Sequence, residues 1–394
     1  MLKECMFAFS ACLFSLSIFS QYNEIAITLE NVELNNIEIK AFSSLIESKK
    51  LELIASNKLN NPDFGAYYLP FGDHSSSDYT EFEIAQSFEF PSVYVARKNL
   101  IIEQQKDLEM AFESKRQEVL LAAKKSCLEL IILNKTLTIE QERVAQAKQV
   151  LDHVTILFEK EQIDILTFNK AKVAWLQEQF NFQKIELQQK GLLIELKNFN
   201  GGIAIELSSK EVNDTSKLSS IESLWQEKLG RDPSLISLQQ KEAIALHEIK
   251  VNKNKSLPNL AAGFNQQGFS GEYYSGFYGG ITIPLFGNKT KIKAAEAKFQ
   301  FQQSYSNALS FESKMTFEKQ YAEYLLLRER HEEYKQVLDG LNSDTLLLEA
   351  YQLGEISFME YFIEIQFYQQ AYRVMLDMEK QYQLLKAELL KHQL

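Results

Sequence analysis

The chain has 394 residues, 45% of them apolar, yet only six prolines and fifteen glycines punctuate it. A net charge of −11 excludes the basic surface that nucleic acid demands for counterion displacement. His74, His153, His247, His331 and His392 are scattered without ligand spacing and no nucleophile–base set is visible, so no enzyme activity, cofactor or resident metal is expected.

Residues 1–20, "MLKECMFAFSACLFSLSIFS", carry Lys3, an apolar run from Cys5 to Phe19 and a small residue at Ser20. That is the outline of a signal peptide cleaved before Gln21. Lipid attachment at Cys12 is disfavoured, because Phe9-Ser10-Ala11 lacks the usual leucine. Without this segment Cys127 is the only cysteine, so no intrachain disulfide can form. No later stretch has the roughly 18 to 20 consecutive apolar residues of a membrane helix. A β-barrel escapes that test, since its lipid-facing residues alternate with polar ones.

Residues 24–58 read as a helix. Two strand candidates follow, "DFGAYYLPF" (63–71) and "EFEIAQSFEF" (81–90), joined by the polar loop "GDHSSSD". In the second, Phe82, Ile84, Phe88 and Phe90 share one face with Gln86, and Glu81, Glu83 and Glu89 lie on the other. From Ser92 to Lys190 there is neither proline nor glycine, which predicts a long helix over about 92–160 and a second over 164–198. A 4-3 spacing picks out Ser126, Leu130, Leu133, Leu137, Glu140, Val144, Ala147, Leu151, Val154 and Phe158, a coiled-coil-like seam. Cys127 beside it reads as a small buried hydrophobe. Residues 199–222 form a linker, in which "GGIAIE" (201–206) reads as a strand rather than a phosphate loop.

The plan then repeats. Asp232-Pro233 starts a helix, cap followed by proline at the first position. "NLAAGFNQQ" (259–267) and "FYGGITIPLF" (277–286) read as strands around the loop "GFSGEYYS", and a long helix runs from Gly287 to Gly354. The two turns match at an offset of 193 residues: Ile163 falls on Ile356, Asp164 on Ser357 and Phe168 on Tyr361. Each is an N-cap between the two apolar residues of a hydrophobic staple, and Ser357 with Glu360 makes a capping box.

Two hairpins do not make a stable sheet by themselves, and a sheet closed with other copies of the chain leaves no edges. On the duplicated plan, the turn "LGEISFMEYF" and the passages "AQSFEFPSVYVARKN" and "GGITIPLFGNKTKIKAAEAKF", the whole mature chain resembles the TolC-type outer-membrane efflux proteins. The resemblance implies a mostly α protein with a small β part: a long coiled-coil α-barrel continuous with a trimeric 12-stranded outer-membrane β-barrel, with an internal two-fold repeat. It divides the chain into residues 1–20 (signal peptide), 21–198 (first repeat), 199–222 (linker) and 223–394 (second repeat). The implied partners are two further copies, outer-membrane lipid, a periplasmic adaptor and an inner-membrane pump. Glu81, Glu83 and Glu89 would then line the pore, Glu360 the periplasmic constriction, and Gly354, Glu355, Ile356 and Ser357 the tip that meets the adaptor. A second acid sometimes found three positions on is replaced here by Ile363, with Glu364 one further. The second-copy motifs are most like channels serving heavy-metal resistance-nodulation-division pumps, which suggests metal-cation export. The alternatives are drug efflux by the same kind of channel and, in another class, a periplasmic coiled-coil adaptor or scaffold.

Overall fold

A computed structural model describes residues 24–69, 79–212, 217–269, 271–341 and 343–394. The expected signal peptide, Cys12, His74 and the "GDHSSSD" loop lie outside these residues. The helix expected over 24–58 is two helices, α1 (Glu24–Asn35) and α2 (Ile37–Ala55). Asn36 divides them: its Oδ1 accepts from the Ile39 N–H at 2.9 Å as an N-cap, and its Nδ2 donates to the Phe199 carbonyl at 2.8 Å.

After strands β1 (Asp63–Leu69) and β2 (Tyr79–Phe88) comes α3 (Pro91–Glu159). Its 69 residues, at a rise of about 1.5 Å each, make a helix roughly 100 Å long. Helix α4 (Ile165–Phe199) follows the first turn, then α5 (Ile221–Arg231) and α6 (Pro233–Asn254). Asp232 caps α6 by accepting from Ser234 N–H, with Pro233 at the first position, as the sequence predicts. Strands β3 (Asn259–Phe269) and β4 (Glu272–Thr282) precede α7 (Asn288–Leu341), α8 (Ser343–Gln352) and α9 (Phe358–Leu389). The order helix, hairpin, long helix, turn, helix therefore occurs twice.

The long helix predicted over 287–354 is present as α7 and α8, with residue 342 between them outside the described residues. Three expectations are corrected. Strand β2 stops at Phe88, short of Glu89 and Phe90. Strand β4 covers 272–282 rather than 277–286: Pro284 has no N–H for a ladder, and pairing with β3 recruits the residues that read as a loop. "GGIAIE" is not a strand. Instead the linker is held to α3 by Asn134, whose Nδ2 donates to the Leu207 and Ser209 carbonyls at 3.2 and 3.1 Å.

The chain divides into two units. One takes the described residues up to Ala41, Lys115–Lys228 and Lys314–Leu394; the other takes Phe42–Ser114 and Leu229–Ser313. The first is helical. All ten residues of the α3 seam are buried or half-buried, and Cys127, Leu130 and Ile131 pack on Leu196 of α4. Burial pushes the Cys127 thiol up to about 12, so it is an inert core residue.

The second unit holds a four-stranded antiparallel sheet in the order β1-β2-β3-β4. The central pair, β2 and β3, joins segments far apart in sequence, which leaves β1 and β4 as edges. Among the described residues no helix is long and apolar enough to cross a membrane.

Candidate functional site

The register decides what each face of the sheet carries. Phe64 pairs with Ile84, Ile84 with Phe264 and Phe264 with Phe277 across all four strands. Residues directly opposite share a face, so this row, with Phe82, Phe88 and Ile281, makes one face apolar. Phe64 and Phe82 meet edge to face at 4.7 Å, and Phe264 and Phe277 at 5.5 Å. Phe277, in the middle of an edge strand, is 91% exposed.

The opposite face is polar and internally bonded. Asn265 Nδ2 donates to Glu81 Oε1 at 2.5 Å, and Tyr79 Oη donates to its other oxygen at 2.8 Å. Tyr278 Oη donates to Glu83 Oε1 at 2.6 Å, reaching from β4 across β3 to β2. That reach depends on Gly263, where a Cβ would stand 2.5 Å from the Tyr278 ring and 2.6 Å from the Ile84 carbonyl. Gly263→Val should therefore expel the tyrosine ring and free Glu83. A rise in nitration of Tyr278, once its hydroxyl no longer bonds Glu83, would register it, and unchanged labelling would count against the role.

Glu81 and Glu83 thus come together as the alternation predicts. Glu89 does not join them, because it lies beyond the strand end and its carboxylate is taken by Arg97 at 2.5 Å. Asp63 and Glu272 stand on the same polar face by register, and sequence reasoning missed both. The available signal was Asn265 and Gln267, two residues apart, which continue the polar face across β3.

The second locus is the pair of helical turns, which are the same structure twice. After α3, Lys160, Glu161 and Gln162 donate backbone N–H to the carbonyls of Ile156, Phe158 and Leu157. After α8, Leu353, Gly354 and Glu355 donate to Glu349, Tyr351 and Ala350, at the same offset of 193. Both are Schellman closures, which need a left-handed residue. Gly354 provides it at φ 77°, and Glu161 at φ 58°, the one non-glycine positive φ among the described residues. A left-handed non-glycine residue costs about 1–2 kcal/mol. Glu161→Gly should stabilise the first turn by about 1 kcal/mol and Gly354→Ala should destabilise the second by a similar amount. Amide exchange at Gln162 and Glu355 reads the difference; equal protection in wild type and variants would refute the assignment.

Past each closure the caps form as the sequence predicts. Asp164 accepts from Thr167 N–H at 2.7 Å; Ser357 and Glu360 make the reciprocal capping box. Ile163, Phe168, Ile356 and Tyr361 all contribute to one cluster with Val154, Tyr351 and Phe358, so the two turns share a core. Gly354, Glu355, Ser357 and Glu360 are exposed and Ile356 is half-buried.

The Ser357 backbone N–H holds the Glu360 carboxyl below its ordinary value, so the group is ionised at neutral pH. A lowered folded-state pKa contributes stability that is present above the unfolded value and lost as pH falls through the folded one. The second turn should therefore loosen only on acidification below about 4.5, the ordinary value. Glu360→Gln should remove that step from a pH titration of Glu355 amide exchange.

Among the described residues no group of three or more His, Cys, Asp or Glu is placed to hold a metal ion. No family model and no curated protein matches the sequence. Solved structures do match in fold. CusC, described as forming a transmembrane channel, aligns with a TM-score of 0.79 at 14% identity over 94% of this chain and 92% of its own. The Campylobacter jejuni CmeC outer membrane channel aligns at 0.72 and 13%, covering 94% and 85%. The open state of the Neisseria gonorrhoeae MtrE outer membrane channel aligns at 0.74 and 10%, covering 94% and 88%. The chain has the fold of these channels over nearly its whole length.

Proposed function

We propose that this chain is the passive outer-membrane exit duct of a tripartite efflux pump. The observation that carries the reading is the four-stranded sheet with one aromatic face, one hydrogen-bonded acidic face and two open edges, in a chain with the fold of outer-membrane channels. Strands of 10 or 11 residues, as in β2, β3 and β4, match the roughly 9–11 that a tilted membrane strand requires. Three copies would close a sheet of twelve strands and remove both edges, with the aromatic face toward lipid and Glu81 and Glu83 toward the lumen. The two matching halves then read as an internal duplication over 21–198 and 223–394. The first 20 residues serve as the export signal.

In this reading the turn at Gly354–Ser357 is the tip that meets the periplasmic adaptor. A ring of three Glu360 side chains stands at the constriction. Transport energy comes from the inner-membrane pump. Gly354→Pro should cut cross-linking to the adaptor while the trimer persists, because it removes the N–H bonded to Tyr351 and forbids φ 77°. The decisive test is fractionation. The chain should stay in outer membranes through high-salt washing and sediment as a trimer in detergent. A salt-released or monomeric chain would reject the duct and favour a peripheral scaffold.

The cargo we assign is metal cations, on the motif resemblance of the second copy and on lumen carboxylates that concentrate cations. A strain lacking the gene should become sensitive to copper, zinc, cobalt or cadmium and accumulate the metal. Normal tolerance to all four, with new sensitivity to dyes or antibiotics, would transfer the assignment to drugs and leave the duct intact.

A further inference from the structure

Arg143 is 3% exposed, and its guanidinium is held from two directions. Its Nη1 donates to Glu140 at 2.7 Å, and the ring of Tyr372 lies 5.8 Å from its central carbon. Nε and Nη2, both buried, have no hydrogen-bond partner among the described residues. These two nitrogens form one edge of the planar fork, the edge that makes two parallel contacts to an anion. Arg116 shows that edge in use: its Nε and Nη2 hold the two carboxylate oxygens of Glu33 at 2.6 and 2.9 Å.

The unpartnered edge meets a cavity. A space of about 30 Å³ is lined by Arg143 and Gln146 of α3, Glu178 of α4 and Gln369 of α9, among the apolar Val150 and Ile365. Neither Glu140 nor Tyr372 lines it, so Arg143 turns toward it the edge that those two leave open. Such a volume has room for about one or two groups the size of a water molecule. Gln369, 6% exposed, adds a buried amide that can donate an N–H into the same space.

Charge decides between water and an ion. The buried Arg143 and the more exposed Arg373 share one close carboxylate, Glu140, at 2.7 and 3.5 Å. Glu178 and Asp344 stand near, but burial first of all pushes both carboxyls above their ordinary values, toward the neutral acid. Glu178 Oε2 is itself buried and unpartnered among the described residues. In its acid form that group supplies an O–H to the cavity instead of a negative charge. A water molecule would satisfy the donors and leave the guanidinium charge uncompensated. A small anion does both.

We propose that this cavity is a binding site for one small monovalent anion, chloride by size and charge, held by Nε and Nη2 of Arg143 together with the Gln369 amide. The site joins α3, α4 and α9 within the helical unit, so the bound ion tightens their packing as it offsets the desolvation of the arginine. The proposal stands on the interior of the chain and does not depend on the duct reading.

The test uses the full chain in non-ionic detergent, with chloride exchanged for gluconate at constant ionic strength. Amide exchange at Ala147 and Gln369 should slow about tenfold for each tenfold rise in chloride above its Kd. Bromide should act as chloride does, and gluconate, too large for the cavity, should have no effect. Arg143→Lys keeps a charge but lacks the fork, and should abolish the chloride dependence. Should that variant fail to fold, bromide-soaked crystals of the wild-type chain decide the matter. They should show an anomalous peak within hydrogen-bond distance of Arg143 Nε and Nη2. Bromide found at surface lysines and not at Arg143 would be an adventitious ion only, and would overturn the proposal. Equal exchange in chloride and gluconate overturns it too, as does a chloride dependence that survives in Arg143→Lys.

Discussion

Replacing Phe277 by arginine should abolish outer-membrane assembly, whereas replacing Tyr274 three residues earlier should not. Phe277 belongs to the aromatic row that runs through Phe264, Ile84 and Phe64, and it sits at the centre of β4. On the duct reading this is the depth at which a lipid-facing arginine is most costly, about 2–4 kcal/mol per copy and three times that per trimer. Tyr274 lies on the opposite face, where its hydroxyl donates to Glu272 at 2.8 Å. An arginine there would stand in a wet, acidic lumen. Immunoblots of washed outer membranes should show Phe277→Arg depleted at least tenfold and Tyr274→Arg close to wild type. Equal tolerance of both, or equal loss, would mean that the bilayer does not lie against the aromatic face.

Much of this architecture was legible because it is local or periodic. The α3 seam needs only its 4-3 spacing, and all ten positions are indeed covered. The caps at Asp164, Asp232 and Ser357 need only a few neighbouring residues, and each makes its bond. What was not legible depends on partners distant in sequence. Asn36 interrupts a helical pattern while its side chain is held by the Phe199 carbonyl, 163 residues away. Glu272 and Tyr273 read as a polar loop until β3 pairs with them and draws them into the ladder. Glu161 takes a left-handed conformation that its residue type disfavours, because the closure it belongs to is fixed by the helices on either side. On the seam itself, the two polar exceptions were visible as exceptions but not as interactions. Ser126 turns out to donate to Glu195 on α4, and Glu140 is bound to a buried arginine.

That arginine gives the largest stability effect we expect in the helical unit. Glu140 and Arg143 are 1% and 3% exposed and bond at 2.7 Å, one turn apart on α3. Arg143 also lies over the Tyr372 ring of α9 at 5.8 Å, and Arg373 approaches Glu140 at 3.5 Å. Two of the arginine's nitrogens, Nε and Nη2, have no hydrogen-bond partner among the described residues. The pair is therefore expensive to hold, and its geometry only partly offsets the desolvation of two charges. Nearby, burial raises the carboxyls of both Glu178 and Asp344, so neither substitutes readily as a counter-charge. Glu140→Leu would leave a buried guanidinium without its carboxylate, a change that costs about 3–5 kcal/mol. Glu140→Leu with Arg143→Met removes both charges at similar volume and should return within about 1–2 kcal/mol of wild type. Lys148→Ala breaks a pair in which both partners are more than half exposed, and should cost under about 1 kcal/mol. Because the chain has two units, a single global melt is the wrong measure; amide exchange along α3 between Thr136 and Ala147 reads the local opening free energy. If the Glu140→Leu variant protects those amides as well as Lys148→Ala does, the pair is not a fixed buried ion pair on α3. If the double variant is as unstable as the single, the loss comes from packing against Tyr372 rather than from an unpaired charge.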